Sequence, residues 1–506
     1  MRPARSLVAL SLLGATLVAA PEAQGFCGFY AGGAGAHLFN HATQVVLMRE
    51  GQRTVLSMEN DYDGPADGFA MVVPVPVVLR KDQVKTLSRE LFERVDQLDA
   101  PRLVEYWERD PCDRQEGYGY EFSDDPLAAG GFGPNDATIR VRPALARVQV
   151  LNRFAAGEYQ IVILGAEDSL ALETWLRDNG YAIPPGAEAV LRPYVQGGMK
   201  FFVAKIDPAK VRFASGRATL SPLRFHYDAE TFALPVRLGL LNSPGTQDLI
   251  VHILSRGQRY EVKNQPNATI PTNLDVGEDA VHQFGAFYAS VFAKARADHP
   301  RTVLTEYAWD AGSCDPCPGP PLDPGDLGAL GADVAPPADD SVPGASFVLT
   351  RLHARYTKDE LASDLVFAAA PPIAGGREVY EGGSLEKGAR QDTHNNFQGR
   401  YAVRHPWSDA IPCESPIRGR WQTRSSPIAA PNLAFAAPQG AGTASFPSDP
   451  GGDGTPPLPP RGACASCQVG SGAGQRLGGL LALGGALGLL MRRARRVAMR
   501  RRRRHG

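Results

Sequence analysis

The residues best suited to chemistry in this 506-residue chain are its seven cysteines, Cys27, Cys112, Cys314, Cys317, Cys413, Cys464 and Cys467. Cys314-Asp-Pro-Cys317 has the CxxC spacing of thiol oxidoreductases, whose attacking thiolate is usually stabilised at a helix N-terminus. Here Pro318-Gly-Pro-Pro321 follows, which does not readily start a helix, so the pair reads first as a structural bridge. Thiol-redox chemistry is the alternative. A zinc site would require further ligands at matching spacing, and none is assigned. His37 and His41 are four apart, but Gly32-Gly33 upstream and strand-forming residues downstream argue against a shared helical face. Gly32-Gly-Ala-Gly35 lacks the strand and the Lys-Ser/Thr of a phosphate loop. Asp61, Asp63 and Asp67 alternate without the spaced Gly and closing Glu of a calcium loop, so a turn is the better reading. G-x-S-x-G and HExxH are absent.

The two ends of the chain say where such chemistry would take place. Met1-Arg-Pro-Ala-Arg5 is a positive leader, followed by the apolar Ser6–Ala20. Fifteen residues make a helix of roughly 22 Å, shorter than a bilayer core of about 30 Å and typical of a secretory signal. Ala23-Gln24-Gly25 offers a small-x-small cleavage site, placing the cut between Gly25 and Phe26. Lipidation of Cys27 would require small residues before it, and Phe26 stands there instead. At the other end come Cys464-Ala-Ser-Cys467, the apolar Leu477–Met491, and a closing stretch of nine arginines in fifteen residues. That span is short and rich in glycine, hence a marginal permanent anchor, and its arginines would stay cytoplasmic. The tripartite tail resembles the MYXO-CTERM sorting signal. The resemblance implies cleavage near Cys467, or alternatively Cys464, and delivery to the cell surface; a plain anchor is the competing reading.

An exported chain favours disulfides. The expected pairs are Cys314–Cys317 as a local bridge and Cys112–Cys413 closing the fold, with Cys27 unassigned. The overall balance of 53 basic and 54 acidic residues hides a segregation. Without its arginine-rich ends the body is acidic, which argues against a nucleic-acid partner.

These residues must be positioned by the body between the two ends. Strands are predicted at 43–49, 54–59, 68–79, 148–154, 159–164, 200–206, 223–227, 231–240, 248–254 and 347–356. Pro74 and Pro76 deny ladder hydrogen bonds, so their strand should lie at an edge or carry a bulge. Helical periodicity runs through Leu87, Leu91, Val95 and Leu98, with a second short helix expected at 102–107. Further helices are expected from Asp168 or Ser169 to Leu176, at 187–195 and at 281–296. Clusters of strands and helices without strict alternation predict an α+β fold of largely antiparallel sheets with a few packed helices.

The organisation expected is a signal peptide at 1–25, a body at 26–421, a Pro/Gly-rich linker at 422–467, a membrane or sorting segment at 468–491 and an arginine-rich tail at 492–506. The body divides as 26–145 and 146–421, with a long Pro/Gly-rich loop at 314–344. Trp107, Trp175 and Trp309 read as core aromatics.

Several motifs are similar to the DUF2330 family of exported bacterial proteins: Phe26-Cys-Gly-Phe-Tyr30, the stretches 42–49, 69–76 and 95–107, Trp175-Leu with Gly180-Tyr, and Tyr307-Ala-Trp-Asp with Cys314-Asp-Pro-Cys317. The likeness runs from Phe26 to Arg355 and extends toward Trp421. It implies export and one shared fold, and it carries over no catalytic residue. The reading is an exported, surface-anchored protein with a structural or binding role. An extracellular hydrolase with a site formed only in three dimensions, or a thiol-redox protein using Cys314 and Cys317, are the alternatives. No cofactor and no metal are assigned; the partners expected are the membrane, through the C-terminal segment, and a sorting protease. The ligand stays unassigned.

Overall fold

The computed structural model describes residues 29–31, 39–63, 70–113 and 148–433, apart from 182, 184–185, 215–216, 243–245, 338–344, 358, 362 and 382–383. Gly25, Phe26, Cys27, His37, Cys464, Cys467, the linker past 433 and both apolar end segments lie outside the described residues. So do the side chains of His41, Asp61 and Asp63. Among the described residues no helix is long and apolar enough to cross a membrane.

The centre of the fold is a mixed sheet running Arg53–Asp63, Phe39–Glu50, Gln247–Arg256, Phe347–Tyr356, Val303–Asp310. Its first two strands form a hairpin whose turn begins at Gly51, at a φ of 53° that glycine adopts without strain. Gln247–Arg256 lies parallel to Phe39–Glu50, and the other joints are antiparallel. Along these strands alternate residues take opposite faces. Val45, Leu47, Leu56, Met58, Leu249, Val251, Ile253 and Leu352 point into one core, against Met71, Val73, Val75, Ile161, Ile163, Phe202 and Ala204 of a second sheet.

That second sheet runs Phe29–Ala31, Ala70–Val75, Lys200–Ile206, Tyr159–Ala166, Val148–Ala156. Ala70–Val75 is buried along its whole length, which explains its unbroken apolar run. Met71, Val73 and Val75 face the central sheet, whereas Ala70 and Val72 face the helices Ser169–Asp178 and Ala187–Gln196. Pro74 pairs with Phe201 on one flank, while the strand on its other flank ends at Val72, so no ladder bond is lost there. The architecture is α+β, with helices on the outer faces of two stacked sheets. Both sheets draw strands from either side of position 146. The segments 26–145 and 146–421 therefore interleave and are not two subdomains.

Four other expectations are corrected. Residues 102–108 form a strand, not a helix, parallel to Arg400–His405. Pro101 and the run Leu-Val-Glu-Tyr-Trp suit a pleated ribbon, and so short a stretch is too few residues for periodicity to tell helix from strand. The 231–240 stretch is strand only at Ala233–Leu234, because Asp364 accepts the N–H groups of Val236 and Arg237 and diverts the backbone from any ladder. The described part of the 314–344 segment, 314–337, is not a free surface loop. Leu322, Leu330 and Ala335 are buried against Val46, Met48, Val55 and the helix Arg89–Asp99, and Gly331, at φ 149°, passes within reach of Val55 and Met48 where a Cβ would clash. Finally, the fold runs past Trp421: Ile428–Ala429 pairs with the 102–108 strand, and Ala430 and Leu433 are buried.

If 314–337 is a structural part of the core, Leu330→Ala should lower the stability by roughly 2–5 kcal/mol, as a buried leucine truncation does. Chemical denaturation followed by near-ultraviolet circular dichroism measures it, and a loss below about 0.5 kcal/mol would make this segment a surface loop after all.

Candidate functional site

The helix Arg89–Asp99 lays Leu91, Phe92, Val95 and Leu98 on the central sheet. Asp96 and Asp99, three residues apart, share a side of that helix, and Asp99 is completely buried. Beneath it, the sheet face that should be apolar carries charge. On Phe347–Tyr356 the residues Arg351, His353 and Arg355 alternate. Opposite them in register on Gln247–Arg256 stand His252, Ile250 and Asp248. The neighbouring strand Val303–Asp310 shifts register between Thr305 and Tyr307, and the extra residue at this bulge, Glu306, joins the same face.

These side chains form one continuous chain of bonds. The Nε2 of His252 lies 2.9 Å from Gln44 Nε2, and its Nδ1 lies 2.5 Å from Asp99 Oδ2. Arg351 donates from Nη1 to Asp99 Oδ1 at 2.8 Å and Asp96 Oδ1 at 2.6 Å, and from Nε to Glu306 Oε2 at 2.7 Å. Glu306 Oε1 accepts from Tyr288 and lies 2.8 Å from His353 Nδ1; His353 Nε2 lies 3.0 Å from Asp248. Asp248 in turn takes two bonds of 2.8 Å from Arg355. Phe292 stacks on His353 with ring centroids 3.9 Å apart. Asn432, near the end of the described fold, donates to Asp96 at 3.0 Å. Arg355, at 26% side-chain exposure, is the end of the chain that reaches solvent.

The electrostatics follow from this geometry. Burial raises the Glu306 pKa, but His353, Arg351 and Tyr288 outweigh it and hold the carboxyl at about 2. Burial likewise opposes charge on His353, yet Glu306 and Asp248 on its two nitrogens hold it above its usual 6.5. Asp248, pushed up by burial, is drawn below its ordinary range by His353 and Arg355. Arg351 is desolvated and still held firmly protonated by Asp96, Asp99 and Glu306.

Asp96, Asp99 and His252 bring ligand atoms within 4.8 Å of one another, a spacing a metal ion could use. The Arg351 guanidinium already bonds both carboxylates, however, and supplies the cation there. As a catalytic apparatus the constellation is poorly arranged. Both ring nitrogens of each histidine are engaged by protein groups, and the two rings are 0–1% exposed, so neither offers a free base to a nucleophile or substrate.

Among the described residues the cysteines form two bonds elsewhere. Cys112 and Cys413, with Cα atoms 5.6 Å apart, join the turn after strand Arg102–Glu108 to the loop that follows Arg400–His405. Buried Glu108 organises the same loop, accepting from Trp407 N, Gly419 N and Arg418 Nε. Cys314 and Cys317 are bonded across a turn whose carbonyls serve the core. Pro316 O accepts from buried Arg102 at 2.8 Å, and Asp315 O from Gln398 at 2.6 Å. No helix begins at this turn; the nearest, Pro324–Leu327, has a single turn. Of the tryptophans, Trp309 is buried, whereas Trp107 is half-exposed and stacks on His405 at 4.7 Å. The sequence pattern predicts the strands that carry Asp248, His252, Arg351, His353 and Arg355 but not Val303–Asp310, which carries Glu306, and it singles out no member of the network.

Two measurements test the network. Arg351→Met leaves Asp99 and Glu306 buried without their cation and should cost about 3–5 kcal/mol, read by denaturant unfolding. For pH, the raised His353 contributes stability fully below 6.5 and loses it as pH climbs through its folded value. Glu306 contributes fully above 4.5 and loses it as pH falls toward about 2. The melting temperature should therefore be highest between 4.5 and 6.5, and His353→Gln should flatten the alkaline decline. An unaltered alkaline limb in that variant would contradict the assignment.

All eight Asp, Glu, His and Arg members, from Asp96 to Arg355, and Gln44 fall within residues 21–368, which match the family model described as an uncharacterized protein conserved in bacteria (DUF2330). No curated protein and no solved structure matches the chain. The family match spans more than half of the chain and all of its buried charge network, and the chain belongs to the DUF2330 family.

Proposed function

We propose that this protein is exported and displayed at the outer surface of the cell envelope, where its body serves a structural or binding role. The observation that carries this reading is the Cys112–Cys413 bond, which closes a separation of 301 residues. Such a bond forms and persists in an oxidising compartment and not in a reducing cytosol. The positive, then apolar, then small-residue start of the chain supports the same route, with cleavage between Gly25 and Phe26. The tail, similar to a MYXO-CTERM signal, supports transient anchoring by 468–491, followed by a sorting protease acting at Cys467 or Cys464. A non-catalytic role is favoured over hydrolysis because the two buried histidines have all their ring nitrogens bonded within the protein. It is favoured over thiol-redox exchange because the Cys314–Cys317 turn supports Arg102 and Gln398 through its backbone.

Intact mass and terminal sequencing of the protein from its native envelope test the route. The mature chain should start at Phe26 and stop near Cys467, without the arginine tail; an intact Met1 or Gly506 would defeat export or sorting respectively. Alkylation before and after reduction should leave Cys112, Cys314, Cys317 and Cys413 unlabelled until strong reductant is added. Ready labelling of Cys314 and Cys317 by mild reductant alone would instead favour the redox alternative.

A further inference from the structure

Strand Leu223–Asp228 lies between Arg53–Asp63 and Val84–Thr86, beside the central sheet. Leu223, Phe225 and Tyr227 enter the core between the sheets. Arg224, His226 and Asp228 therefore take the other face, where His226 stands opposite Val55. The segment 328–337 crosses that face as a strap, with Leu330 and Ala335 buried in the cluster that holds Met48 and Val55. Three cations fasten it. Arg224 Nη1 donates to Ala329 O at 2.7 Å and Gly328 O at 3.2 Å, and its Nη2 donates to Asp333. Lys85 reaches the other oxygen of Asp333 at 2.9 Å, and Arg53 donates to Val334 O at 2.7 Å.

His226 lies among these bonds and takes no part in them. It is half-buried, and its ring makes no hydrogen bond among the described residues. The charged groups around it are Arg53, Arg224, Asp228, Asp82 with its neighbour Arg80, Lys85, and Asp333 of the strap. Every carboxylate of this group already has a cation. Asp228 takes Arg53 at 2.6 Å, Asp82 takes Arg80 at 3.3 Å, and Asp333 takes Arg224 and Lys85. A proton on His226 would thus add positive charge where the counter-charges are engaged. Burial, with Arg53 and Arg224, holds the imidazole below its usual 6.5 against the pull of Asp333 and Asp82. Asp333, although pushed up by burial, is kept below the usual carboxylate range by Arg224 and Lys85. Bonds to Arg53 and Arg80 do the same for Asp228 and Asp82. Between about pH 5 and 7.5 the charge that changes in this group is the histidine's.

We propose that protonation of His226 loosens the strap 328–337, an acid-sensitive fastening whose release uncovers Met48 and Val55 while the rest of the fold stays closed. The device goes beyond the export reading and does not depend on it. A histidine whose folded pKa is depressed contributes its full stability above 6.5 and loses it as pH falls toward the folded value. The strap should therefore be held tightest at neutral pH, opposite in sign to the contribution of His353, so the readout must be local. Hydrogen–deuterium exchange of the purified full-length protein is such a readout. The amides of Val334 and Ala335 both donate to Gly331 O at 3.0 Å and exchange when the strap opens. After correction for intrinsic rates, their opening constant should rise about threefold or more from about pH 7.5 to about pH 5. In His226→Gln, polar and uncharged, it should stay level; His226→Asn repeats the test if the glutamine variant does not fold. Amides of strand Gln247–Arg256 should show no such rise in either protein. The proposal is overturned if the parent opens no more at the lower pH, if the uncharged variant opens as much as the parent, or if the strand opens in step with the strap.

Discussion

One guanidinium holds the centre of this molecule. Arg351 is 1% exposed and meets three carboxylates, two from the covering helix and one from the adjacent strand. Desolvating four charges costs several kcal/mol per ion, and only close, multiply bonded geometry offsets it. Such an arrangement adds little net stability over a well-packed apolar one. What it adds is intolerance of alternatives. If the helix Arg89–Asp99 slid by one turn, or its strand slipped by one residue, Asp99 and Glu306 would be left buried without a cation.

That intolerance matters because the sheet it sits on could otherwise pair in several ways. Side chains alternate with a period of two, so a one-residue slip of Phe347–Tyr356 against Gln247–Arg256 would send Arg351 and His353 into the apolar core between the sheets. The bulge between Thr305 and Tyr307 is part of the same specification, because its extra residue is Glu306, which bonds both Arg351 and His353. Tyr288 and Phe292 bring the helix Phe284–Asp298 into the arrangement from another side. Two helices and three strands are thereby located against one another by charge, on a background of hydrophobic burial that is strong but indifferent to register.

The same feature explains what was legible in the sequence. The strands at 43–49 and 200–206 were readable as short apolar runs and that at 347–356 from the alternation in its second half, and the helix at 89–99 because Leu91, Val95 and Leu98 repeat at the helical period. The strand at 102–108 was not, since its pairing with Arg400–His405 lies almost 300 residues away and no local pattern encodes it. The network was invisible for a sharper reason. Arg351, His353 and Arg355, alternating with Leu352 and Ala354, form the pattern of a strand with one wet face. Here that face is covered by helices. Only the short spacing of Asp96 and Asp99 on an otherwise apolar helix hinted that charge would be carried inside. The paired cysteines, by contrast, could be reasoned from number and compartment without any geometry.

A body that places its titratable groups in internal bonds has removed them from chemistry. His252 and His353 have the carboxylate neighbours a catalytic base requires, yet each is saturated and sealed, so the resemblance to a catalytic dyad ends at composition. Towards Arg355 the logic changes, because exposure rises and the pairing with Asp248 meets water. The interior charges can hold the sheet in register only if they stay paired, and at the rim Arg355 keeps its Asp248 partner while meeting water. Rigidity inside and a half-exposed ion pair at the edge are thus two consequences of one arrangement.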